Sequence, residues 1–148
     1  MDITIDQSNK IEYTSQDTVI AYANGKKKSL LIKAKDKRIL EKLFRQANKP
    51  DIFVYKTFAI LLFLLIKDDI KKIHSLTIDH EYWGKEPLIK NFLLQTIRKN
   101  GFVFAADAIH FGLIGKKDPS HIKAITTYRK KDKPDLIVSF KKVLKEEL

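Results

Sequence analysis

Two aspartates lie where a carboxylate is costly unless something pairs with it or binds it. Asp79 closes the apolar run Ile73, Leu76, Ile78 inside Ile78-Asp79-His80-Glu81-Tyr82, and Asp6 closes Ile3-Thr4-Ile5. A carboxylate at the end of a buried strand must be neutralised, hydrogen-bonded or bound to a cation. The carboxyl ends of strands in α/β sheets are also where ligands collect. Around these two acids the chain has 29 Lys+Arg against 18 Asp+Glu, a formal net charge of +11, which favours a polyanionic partner. Together they point to metal-dependent work on nucleic acid. The competing readings are plain ones. Asp6 opens the turn-like Asp-Gln-Ser-Asn, Asp79 can pair with Lys85 or cap a turn, and lysines also serve solubility or heat tolerance.

Further basic groups have two readings each. Lys116 and Lys117 follow a strand and precede a helix start, where backbone N–H groups and two ammonium groups can hold a phosphate. Arg129, Lys130, Lys131 and Lys133 form a run that adds sequence-independent affinity by releasing counterions, as does the Lys26-Lys27-Lys28 loop. In both cases the alternative is a solvated turn. Tyr82 and Trp83 can stack on bases, although an aromatic residue beside a glycine turn more often closes the core. His80 reads as an exposed neighbour, and His74 and His110 as packing residues. A zinc site from His80, His110 and His121 lacks any tight spacing of the H-E-x-x-H kind. Gly115-Lys116-Lys117 lacks the spacing of a nucleotide-binding phosphate loop, which argues against ATP hydrolysis.

The elements that must position these groups follow from periodicity. At 148 residues and 44% hydrophobic content, a single domain over residues 1–148 is expected. Residues 2–6 alternate as a first strand, and residues 18–23 and 29–33 flank Asn24-Gly25 as a hairpin. Ile39, Leu40, Leu43, Phe44 and Ala47 mark one face of a helix, with Lys37, Arg38, Lys42 and Arg45 placed elsewhere. Pro50 ends it, and Asp51 can cap a second helix that is apolar on nearly every side. The unbroken run Phe58 to Ile66 is too short to span a bilayer, which takes about 20 apolar residues.

A strand over 73–79 precedes a helix opened by Glu86-Pro87 and closed by Gly101. A strand over 108–114 leads to a helix capped by Asp118, with Ile122, Ile125 and Tyr128 as its apolar stripe. Leu136 to Val138 is a short extended piece, and Ser139 can cap a final helix to Leu148. The expected class is α/β, a mixed five-stranded sheet in β-β-β-α-β-α-β-α order. The chain has no cysteine, so disulfides and thiolate metal sites are excluded. An acidic, alternating start unlike a signal peptide fits a cytoplasmic protein with no membrane partner.

That order resembles the ribonuclease H-like fold of resolvases, transposases and nucleases. Thr77-Ile78-Asp79-His80-Glu81-Tyr82 is similar to that family's fourth-strand aspartate segment, and Ile3-Thr4-Ile5-Asp6-Gln7-Ser8 to its first strand. Gly115 to Ala124 is similar to its last loop and helix. The resemblance implies that the first and fourth strands lie side by side and parallel, with Asp6 and Asp79 as ligands of Mg²⁺ or Mn²⁺. It also implies His121 as a third ligand or proton carrier, and phosphodiester hydrolysis as the activity. Resolvase-like relatives are often homodimers. The family often adds an acid on the first long helix, and Tyr55 to Ile66 offers none. Glu81, one alternation step from Asp79, is the substitute. The alternative is a non-catalytic nucleic-acid-binding or assembly module that keeps the fold without the site.

Overall fold

A computed structural model of the chain describes residues 1–147. Its elements are β1 (Asp2–Ser8), β2 (Thr18–Ala23), β3 (Lys28–Ile32), α1 (Ala34–Gln46), α2 (Phe53–Ile66), β4 (Ser75–Asp79), α3 (Glu86–Lys99), β5 (Ile109–Gly112), α4 (Pro119–Tyr128), β6 (Leu136–Val138) and α5 (Phe140–Glu147). The class is α/β with one mixed six-stranded sheet, ordered β5-β4-β1-β2-β3-β6. The sixth strand corrects the expected count of five. The short piece Leu136–Val138 pairs parallel with Leu30–Ile32 at the far edge. Three residues are too few for periodicity to reveal. The final helix was expected to reach Leu148, which lies outside the described residues.

β1, β2 and β3 form the expected antiparallel unit, and β1 pairs parallel with β4. Alternation along the strands sorts side chains onto two faces. Ile3, Ile5, Ile20, Tyr22, Leu76 and Ile78 enter the main core, which α2 fills with a continuous run of buried residues from Thr57 to Ile66. Each fully buried Leu, Ile or Phe there contributes about 1.5–3 kcal/mol. The opposite face presents Val19 and Ala21 to α4, where Ala124 packs against them. Asp6 and Asp79 have the parity of this second face, and so they point toward α4.

Several local expectations are corrected. α4 turns Ser120, Ala124 and Thr127 to the sheet, and Ile122 faces solvent. Small side chains let the helix sit close over β1–β3, where an isoleucine stripe would hold it away. Asp51 lies in a 3₁₀ turn (Pro50–Ile52), and α2 starts without a side-chain cap. His74 and His110 are exposed and do not pack in the core. Lys37 is fully buried, on the same face of α1 as Leu40 and Phe44. Its Nζ donates to the carbonyls of Lys10 (3.3 Å) and Tyr13 (2.8 Å) and to Thr18 Oγ1 (2.8 Å), pinning the segment between β1 and β2. Among the described residues no helix is long and apolar enough to cross a membrane.

Candidate metal centre

The parallel register of β1 and β4 runs from Asp2 opposite Ser75 to Ile5 opposite Ile78. One residue further along both strands come Asp6 and Asp79, on the face that α4 covers. Adjacent strands are about 4.8 Å apart, so two carboxylates at matching ends must meet. Glu81 lies two residues beyond Asp79, in the turn after the strand. Oxygens of Asp6, Asp79 and Glu81 all fall within 4.8 Å of one another.

Each acid is held in place. Asp6 is 3% exposed, and its Oδ1 accepts the Gln7 N–H at 2.8 Å. Its Oδ2 lies 2.7 Å from Nδ1 of His121 in the first turn of α4. Asp118 sets that turn, because its Oδ1 accepts both the N–H of Ser120 (2.9 Å) and the Thr4 hydroxyl (2.8 Å). The helix start is thereby tied to the strand that carries Asp6. Asp79 accepts the Ile114 N–H at 2.8 Å, which ties it to the strand-end segment after β5.

The electrostatics are those of anions crowded together. Burial raises the Asp6 carboxyl above its usual range, the Asp79 charge adds to this, and the hydrogen bonds from Gln7 and His121 oppose it. Burial and a hydrogen bond shared with Asp79 push Glu81 up to about 8. These influences favour the protonated form of Glu81, and a cation placed among the three carboxylates would favour the ionised one. All donors are hard oxygens, with one imidazole alongside, a set that suits Mg²⁺ or Mn²⁺.

Beneath the acids lies a clamp that sequence reasoning missed. Tyr82 is 7% exposed, packed edge-on to Tyr55 and Phe58. Its Oη accepts the Ile11 N–H at 3.0 Å and lies 3.3 Å from the Gln7 side-chain amide. Tyr82 adjoins Glu81 and Gln7 adjoins Asp6, so the clamp ties the turn after β4 to the end of β1. Lys37 steadies the same segment from below. The spacing 37, 40, 44 was the available signal for Lys37, since it is helical and includes two core residues.

The remaining sequence candidates are dispersed. Lys116 and Lys117 lie exposed in the turn before α4. Asp118 already takes the N–H of Ser120 at that helix start, so a phosphate contact there falls to the two ammonium groups. Arg129 and Lys130 lie past the other end of α4, about 12 Å along its axis from His121 at 1.5 Å per residue. His80 is half-buried and stacks on Trp83, which corrects its reading as a simply exposed neighbour. Comparison with models of protein families, with curated proteins and with solved structures gave no match.

Proposed function

We propose that this chain is a nucleic-acid phosphodiester hydrolase dependent on Mg²⁺ or Mn²⁺, built on a ribonuclease H-like sheet. The observation that carries this reading is the convergence of Asp6, Asp79 and Glu81 within 4.8 Å, with His121 against Asp6. The central parallel pair β1–β4 and the antiparallel β1-β2-β3 unit support the fold assignment. The net charge of +11 supports a polyanionic substrate.

Asp6 and Asp79 would be the principal metal ligands and Glu81 an auxiliary one that gives up its proton on binding. Divalent cations held there would supply an activated water and charge neutralisation at the leaving oxygen. His121 donates from Nδ1 to ionised Asp6, which leaves Nε2 to carry a proton between the attacking water and solvent or the departing oxygen. In the hydrolysis the water oxygen bonds to phosphorus, the P–O ester bond breaks, and the water's proton ends on the released hydroxyl. Lys116 and Lys117 attract the phosphate backbone to the turn that precedes His121.

A non-catalytic nucleic-acid-binding module is favoured by one observation. Asp6 and Asp79 already have protein partners in Gln7, His121 and Ile114. Labelled duplex, branched and single-stranded DNA and RNA, incubated with Mg²⁺, Mn²⁺ or EDTA, separate the two readings. Metal-dependent cleavage that is lost in Asp6→Ala and Asp79→Asn is expected. Binding without cleavage, equal in both variants, would assign the module instead.

A further inference from the structure

Trp83 is the chain's one tryptophan, and it is 67% exposed, two residues beyond Glu81. An indole normally buries its large apolar area, as the neighbouring Tyr82 does with its phenol. Trp83 nevertheless has a defined neighbour. Its ring stacks on His80, with centroids 4.2 Å apart and planes 13° from parallel. His80 Nδ1 lies 3.1 Å from Glu86 Oε2, and Glu86 Oε1 accepts the Gly84 N–H at 2.9 Å. The turn 80–86 is thus closed on itself by one carboxylate, with the imidazole fixed under the indole. One face of the indole is covered and the other faces water.

A second exposed apolar side chain is fixed to the same segment. Leu113 is 80% exposed and follows Gly112, whose carbonyl accepts the His80 N–H at 3.1 Å. The next residue, Ile114, donates to Asp79. Trp83 therefore follows the stretch that carries Asp79 and Glu81, and Leu113 lies on the segment hydrogen-bonded to it, with Lys85, Lys116 and Lys117 a few residues away in sequence. The flat π surface and the net charge of +11 match a planar group carried on a polyanion.

We infer that Trp83, backed by His80, is a stacking platform for an unpaired nucleobase next to the phosphodiester at the carboxylate cluster. The substrate class is then nucleic acid with a base out of its stack, as in a single strand, a bulge or a branch. Away from its ends, a continuous duplex has both faces of every base occupied by neighbours, and the platform has nothing to receive there. This inference rests on the nucleic-acid reading proposed above.

The lone tryptophan makes the test direct, because intrinsic fluorescence reports this one site. The protein is titrated, with Ca²⁺ in place of Mg²⁺, with a long blunt duplex, the same duplex carrying a one-nucleotide bulge, and a single strand, each labelled for anisotropy. The bulged and single-stranded oligonucleotides should quench Trp83 and the blunt duplex should not. Trp83→Ala should weaken the former by about 5- to 100-fold and the duplex by less than about 2-fold, with Trp83→Phe retaining most of the affinity. Binding with unchanged fluorescence, or equal weakening of all three ligands, overturns the platform and leaves the nucleic-acid reading standing. No binding of any oligonucleotide by the unsubstituted protein overturns both.

Discussion

Replacing Glu81 by Gln should make the metal-free protein more stable above about pH 6 while weakening its response to metal. Two like charges at 4.8 Å repel by about 3 kcal/mol at an effective dielectric of 20. Burial first, then the hydrogen bond with Asp79 and this repulsion, push the Glu81 carboxyl up to about 8, far above its ordinary value of 4.5. A raised carboxyl stabilises the fold fully at low pH. As pH climbs from 4.5 to about 8 the unfolded chain ionises first, and stability falls along that window. Glutamine has no proton to lose and can still hydrogen-bond to Asp79. Urea denaturation in EDTA at pH 5 and pH 8.5 measures the difference. At pH 5 the variant should lie within about 1 kcal/mol of the parent, and at pH 8.5 it should be about 2–4 kcal/mol more stable. Added Mn²⁺ should stabilise the parent more than the variant, which keeps Asp6 and Asp79 but lacks the auxiliary ligand. A variant that is no more stable at pH 8.5 than at pH 5, relative to the parent, would refute the crowded-anion account of the site.

Three other outcomes follow from the same structure. His121→Ala should lower the cleavage rate by about 10²- to 10⁴-fold with little change in oligonucleotide affinity, the split expected of a proton carrier, read from single-turnover rates. Lys37→Met should flatten a stability rise of about 3 kcal/mol that the parent shows between pH 8 and 10.5. Burial holds this lysine down to about 8, so its buried charge penalises the fold below that pH and the penalty vanishes as the folded amine deprotonates; denaturation across that range checks it. The double change Lys116→Ala with Lys117→Ala should lower the slope of log K against log salt by about 1.5 and leave the metal affinity unchanged, if both lysines contact phosphate.

Much of the centre could be read in the chain because it depends on strand parity. Asp6 and Asp79 end runs whose alternation puts them on the face away from α2, and the parallel pairing of β1 with β4 brings matching ends together. The cap Asp118 was visible by type and position, and it brings His121 toward Asp6. Other parts depended on contacts between distant segments. Nothing local marks Tyr82 as the acceptor for Ile11, or separates it from Trp83 beside it, one ring inward and the other outward. Lys37 was assigned by charge to the solvent side, although its spacing to Leu40 and Phe44 placed it inside. The stripe of α4 was assigned by size to Ile122, whereas close approach to the sheet selects Ser120, Ala124 and Thr127. β6 pairs over only three residues, and its place at the edge beside β3 is a tertiary choice.

The central claim is that three carboxylates and a histidine form a divalent-metal centre. Anomalous diffraction from crystals soaked in Mn²⁺ tests it most directly, with Asp79→Asn crystals as the control. The account predicts a strong peak among Asp6, Asp79 and Glu81 that is weakened or lost in the variant. A Mn²⁺-soaked crystal with no peak there, in a protein that cleaves no nucleic acid, would contradict it.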